Sequence, residues 1–138
     1  AIENLIRAND FKILFDVHSK GRVIYWYKEV QGQEFNDINY KLAKAVSEVT
    51  GYEILPKSLS TYGQGTDGTT TDFAAENGIY CLTIETVPFN TPFPMPVEAI
   101  INEWDRVKHL GLVLARETAA LEVAEESQSQ KPCPCKSR

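Results

Sequence analysis

Hydrophobic positions in this chain alternate between short unbroken runs and stripes at helical spacing. Phe11–Val17 is an apolar run carrying one lysine, and Val23–Tyr27 (Val-Ile-Tyr-Trp-Tyr) is rich in β-branched and aromatic residues; both predict strands, joined by a short link at Gly21. Ile79–Ile84 predicts a further strand. Glu34–Thr50 carries Phe35, Ile38, Leu42, Val46 and Val49 on one helical face, and Gly51 is a suitable stop. Ala1–Asn9 has Ile2, Leu5 and Ile6 at helical spacing and is broken by Asn9-Asp10. A short helix is expected from about Asp72 to Asn77, capped by Thr70 or Thr71 and ended by Gly78. Val97 to about Val123 predicts the longest helix, with Val97, Ile100, Ile101, Trp104, Val107 and Leu114 on one broad face and Pro96 at its first turn.

The connections carry information too. Residues 56–71 form a long loop with Pro56, Gly63, Gly65 and Gly68 among Ser and Thr, and long loops in small domains are commonly functional. No Gly-Lys-Ser/Thr closes it, so it is not a phosphate loop. Thr86–Pro96 is proline-rich and must be extended. Strands and helices alternate, so the expected fold is α/β, a mixed sheet flanked by helices over residues 1–124. Residues 125–138 are read as a flexible polar tail.

The length of 138 residues suits one domain, and a 43% hydrophobic fraction is that of a globular protein. A formal net charge of −5 argues against nucleic acid as a partner, since phosphate neutralisation needs clustered cations. No run of about 18 apolar residues is present, so no membrane span is expected. Cys81, Cys133 and Cys135 make no disulfide framework, which favours a reducing compartment such as the cytoplasm. The sequence opens on Ala1 rather than Met, inside a helix-like segment without the basic start and apolar core of a signal peptide. The natural protein is therefore expected to extend upstream.

Two polar residues close apolar strands: His18 after Phe15-Asp16-Val17, and Glu85 after Leu82-Thr83-Ile84. Ligands and catalytic groups gather at the carboxyl ends of strands in α/β proteins. An imidazole and a carboxylate placed there suit a zinc hydrolase, as metal ligand and general base. Asp16 is expected to hydrogen-bond within the sheet. Lys20 and Arg22 follow His18 closely; they could hold an acidic substrate group, but a solvated pair is the plainer reading. The Tyr25-Trp26-Tyr27 cluster reads as sheet packing, and His109 as a helix residue without chemistry.

In order, these landmarks resemble the C-terminal part of the zinc carboxypeptidase family, the carboxypeptidase A-like metallopeptidases, over roughly Phe11 to Leu121. Phe15-Asp16-Val17-His18-Ser19 is similar to the strand carrying the third zinc ligand. Tyr62-Gly63-Gln64-Gly65 lies where the family keeps a mobile tyrosine. Gly68-Thr69-Thr70-Thr71-Asp72-Phe73 is similar to the segment lining the specificity pocket. Leu82-Thr83-Ile84-Glu85 is similar to the strand ending in the catalytic glutamate. His18-Ser19-Lys20-Gly21 with Ile24-Tyr25-Trp26 most resembles the bacterial γ-D-glutamyl-diamino acid peptidases, which cut cell-wall peptides. The resemblance implies His18 as a zinc ligand, Glu85 as the catalytic base, and Tyr62 and Thr71 as substrate-binding residues, with a peptide as substrate.

Part of the family's pattern is missing. His18 and His109 are the only histidines, and no His-x-x-Glu is present to supply two further zinc ligands. The family's Asn-Arg pair for the substrate carboxylate also lies upstream of this region. The expectation is a fragment of a larger zinc enzyme, inactive alone and holding zinc weakly or not at all. A zinc-free peptide-binding homologue and a partner-binding half completed by a separate chain are the competing readings. A truncated sheet would expose edges and apolar faces, so a homodimer through that surface is expected. Pro132-Cys133-Pro134-Cys135 is similar to the opening of a cysteine-rich zinc tail but lacks two further ligands, and is read as flexible.

Overall fold

The structure is a computed structural model and describes residues 1–60 and 69–129. It contains α1 (Ile2–Arg7), β1 (Ile13–Ser19), β2 (Val23–Tyr25), α2 (Gln33–Thr50), β3 (Glu53–Ile54), α3 (Thr70–Glu76), β4 (Tyr80–Thr86), α4 (Val97–Val107) and α5 (Leu110–Ser129). The fold is α/β, built on a four-stranded mixed sheet of order β1-β4-β2-β3. β1 and β4 run parallel over seven paired residues, from Ile13↔Tyr80 to Ser19↔Thr86. β2 is antiparallel to β4 and parallel to β3.

Alternation along the strands gives the sheet two faces. Ile13, Ile24, Leu82 and Ile84 pack with Leu42, Ala43 and Val46 of α2 and with Leu110 and Val113 of α5. The opposite face packs Cys81 against Ile6 of α1 and Ala74 and Ala75 of α3. The sheet is thus covered by helices on both sides.

β1 and β4 both end two residues later than the apolar runs predict, because their ladder continues through His18↔Glu85 and Ser19↔Thr86. β2 ends earlier than expected. The N–H groups of Trp26 and Tyr27 donate to Ser60 Oγ at 2.7 and 3.1 Å, and Trp26 O accepts from Asn39 Nδ2 at 2.9 Å. Asn39 Oδ1 also accepts from the Cys81 N–H at 3.0 Å, so a buried carboxamide replaces the ladder beyond Tyr25. Thr69, one residue before the expected caps, accepts the Asp72 N–H and starts α3.

Two expectations about the C-terminal region need correction. The single long helix is two, separated at Lys108-His109, where the Leu112 and Val113 N–H groups both donate to His109 O. Helix also continues to Ser129, through the start of the expected polar tail; its Ala, Leu and Glu residues are strong helix formers. Cys133 and Cys135 lie outside the described residues.

The apolar face of α4 is turned outward. Val97, Ile100, Ile101 and Trp104 form an exposed stripe, each more than half accessible, while Glu103 is buried at 5% exposure. The inner side of α4 is polar because Arg22, Tyr52 and the Val87 N–H all bond to the Glu103 carboxylate. β1 pairs with β4 alone and leaves its outer edge open among the described residues, with Val17 exposed. This edge and the α4 stripe are the surfaces available to the self-association expected from the sequence.

Gly51 stops α2 in the left-handed conformation at φ 71°, as its place after the helical stripe predicts. A Cβ there would also meet Arg106 Nη1 at 3.2 Å, and that guanidinium caps the end of α2 through Thr50 O at 2.9 Å. Gly51→Ala is expected to destabilise the fold by about 1–2 kcal/mol, from the left-handed penalty and the displaced cap. Urea unfolding checks this; an unchanged midpoint contradicts it.

Candidate functional site

The parallel register of β1 and β4 makes His18 and Glu85 direct neighbours on one face of the sheet, at its carboxyl end. Asp16, two residues earlier on the same face, holds the imidazole: His18 Nε2 lies 2.9 Å from Asp16 Oδ1. In the neutral imidazole this contact places the proton on Nε2 and leaves the Nδ1 lone pair available, the arrangement in which a carboxylate orients a metal-binding histidine. The hydrogen-bonding role expected of Asp16 is therefore to orient His18.

Glu85 has a different environment. Its Oε2 is buried and has no hydrogen-bond partner among the described residues. Buried polar atoms are almost always bonded, so an orphaned carboxylate oxygen beside an opening marks a place where a ligand or water is received. The opening is a cavity of about 480 Å³, lined by Glu85 together with Lys20, Val23, Leu55, Leu59 and Phe89. Gly21 makes this packing possible: a Cβ there would come within 3.3 Å of Glu85 Cβ and 3.2 Å of Val23 Cγ2. The Gly21 N–H also donates to Val87 O at 2.9 Å, which ties the end of β1 to the end of β4.

Thr71 is placed deeper. It is 2% exposed and its Oγ1 accepts from Lys28 Nζ at 2.8 Å, with Thr83 Oγ1 at 3.4 Å. Lys28 is itself buried and pairs with Asp72 Oδ1 at 2.8 Å. Thr71 is therefore joined to the strand carrying Glu85, two residues below it, and is not part of the cavity lining. Cys81 lies beneath this group, and burial pushes its thiol up to about 12, so it is unreactive. Tyr62 lies outside the described residues.

As a zinc site the donor set is partial. His18 is oriented as a ligand would be, but no three of His, Cys, Asp and Glu come together among the described residues. Two more donors would be needed for the family's three-ligand arrangement. No described helix is long and apolar enough to cross a membrane. No family model and no curated protein matches the sequence.

The residue that sequence reasoning missed is Glu103. Arg22 Nη2 donates to its Oε2 at 2.6 Å and Arg22 Nε at 3.1 Å, Tyr52 OH donates to Oε1, and the Val87 N–H adds another bond. Among the described residues, Arg22 and Val87 are the non-glycine residues with positive φ, at 54° and 49°. Glu103 thus holds the turns after β1 and β4 in conformations they would otherwise avoid. Arg22 is accordingly a structural cation, separated from Lys20 rather than solvated beside it.

Burial alone would raise the Glu103 carboxyl, but the bonds from Arg22, Tyr52 and Val87 outweigh it and hold the group below its ordinary value of 4.5. Burial first, then the Glu103 bond, pushes the Tyr52 hydroxyl well above its usual range. As pH falls, the unfolded chain takes up the Glu103 proton first. The stabilisation is complete above the ordinary carboxyl value and is lost as pH falls through the folded one. Glu103→Gln is expected to cost about 2 kcal/mol at neutral pH and far less at about pH 3. Urea unfolding at both pH values checks this; an equal cost at both contradicts it.

Proposed function

We propose that this chain carries part of a zinc carboxypeptidase-like metallopeptidase site, in a protein that hydrolyses peptide or amide bonds. The substrate class is the γ-D-glutamyl-diamino acid peptide of bacterial cell walls. The observation that carries the reading is the buried, unpartnered Oε2 of Glu85, lining an open cavity and directly across the ladder from His18. His18 supplies one donor, oriented by Asp16, and the remaining donors would come from a His-x-x-Glu upstream of this sequence.

Glu85 then acts as the base. Its carboxylate takes a proton from the attacking water as the water oxygen bonds to the carbonyl carbon. It returns that proton to the amine nitrogen as the C–N bond breaks. Tyr62 belongs to the substrate-binding side in this reading, whereas Thr71, buried against Lys28, supports the strand that carries Glu85 and does not touch substrate. A second reading, a zinc-free homologue that only binds peptide, is favoured by the partial donor set.

Hydrolysis of a γ-D-glutamyl-diamino acid peptide by the natural gene product separates the two. Glu85→Gln is expected to lower kcat by about a hundred- to ten-thousand-fold, the contribution of a positioned general base, with KM little changed. Equal rates for the two proteins contradict Glu85 as base. Peptide binding without turnover in either supports the second reading.

A further inference from the structure

Among the described residues Lys20 is a cation without a counter-ion. Its Nζ donates to Thr91 O at 2.5 Å and lies over the rings of Phe93 at 4.9 Å and Phe89 at 5.8 Å. Among the described residues no carboxylate pairs with it. Part-buried Arg22 pairs with Glu103, and buried Lys28 pairs with Asp72. The chain has 19 acidic residues against 14 basic ones, so Lys20 is not unpaired for lack of carboxylates.

The contacts fix the ammonium in place. The carbonyl takes one of its three N–H donors, and the aromatic faces attract the charge without neutralising it. Lys20 lines the same cavity as Glu85, whose Oε2 lacks a donor. Between them the wall is mostly apolar, from Val23, Leu55, Leu59 and Phe89. The complementary ligand has an apolar body, offers a hydrogen-bond donor to Glu85, and directs an anion away from Glu85 towards Lys20.

We propose that Lys20 is the specificity-determining cation of this site, binding a free carboxylate on the residue that contributes the reacting carbonyl. The proposal rests on the reading of Glu85 as the base. For a γ-D-glutamyl bond that anion is the α-carboxylate of the D-glutamyl residue. The site then discriminates against the same peptide once its α-carboxylate is amidated, because amidation removes the charge and changes little else.

The probes are N-acetyl-γ-D-glutamyl-L-alaninamide and its α-carboxamide counterpart, titrated calorimetrically into the full chain. Amidation is expected to weaken binding by about ten-fold or more, the scale of a lost charge-assisted hydrogen bond. Lys20→Met is expected to bind the acid as weakly as the amide, and Lys20→Arg to keep most of the preference. Thermal melting establishes that both variants fold. Equal affinity of the wild-type chain for both probes overturns the role of Lys20 but leaves the cavity as the binding site, provided that Leu59→Asp weakens both. A preference that survives in Lys20→Met also overturns it. Failure of both probes to bind wild-type protein overturns the inference together with the site reading beneath it.

Discussion

The buried carboxylate of Glu103 is the interaction on which the carboxyl end of the sheet depends. Burying a carboxylate costs several kcal/mol unless its oxygens are well bonded. Here the bonds come from Arg22 after β1, Tyr52 after α2 and the Val87 backbone after β4. One group on α4 therefore joins three connections that are distant in sequence. The left-handed conformations at Arg22 and Val87 are sustained by the same bonds. Gly21, between Lys20 and Arg22, is pulled against the end of β4, which brings it against the side chain of Glu85. The outward apolar stripe of α4 follows, since a helix that turns Glu103 and Arg106 inward must turn Val97, Ile101 and Trp104 outward.

Much of this fold was legible in the sequence, for local reasons. The stripe of α2 and the glycine after it depend on helical period and left-handed φ, both encoded within a few residues. The positions of His18 and Glu85 at strand ends followed from where the apolar runs stop, although the ladder carries both residues inside the strands. What was hidden depends on partners far along the chain. Periodicity gives α4 an apolar side but not the direction it faces, and nothing local signals that Arg22 and Tyr52 draw Glu103 in. The early end of β2 depends on Ser60 and Asn39, and the two-residue β3 is too short to have a period. The Lys20–Arg22 pair read as one solvated patch, whereas packing sends Arg22 to Glu103 and Lys20 to the cavity.

The site combines two carboxylates in unlike environments. Asp16 is engaged with His18, which settles the tautomer and direction of the imidazole. Glu85 keeps an oxygen without a partner, which suits a group that must accept a proton rather than hold a fixed bond. Their separation along the sheet is set by backbone pairing, so neither depends on a flexible loop for its position.

The most direct test of this account is the zinc content of the natural gene product by elemental analysis, with and without the substitution His18→Ala. The account predicts about one zinc per chain, as a three-ligand site requires, and its loss in the variant. A natural product free of zinc, or one whose zinc is unchanged by His18→Ala, would contradict it.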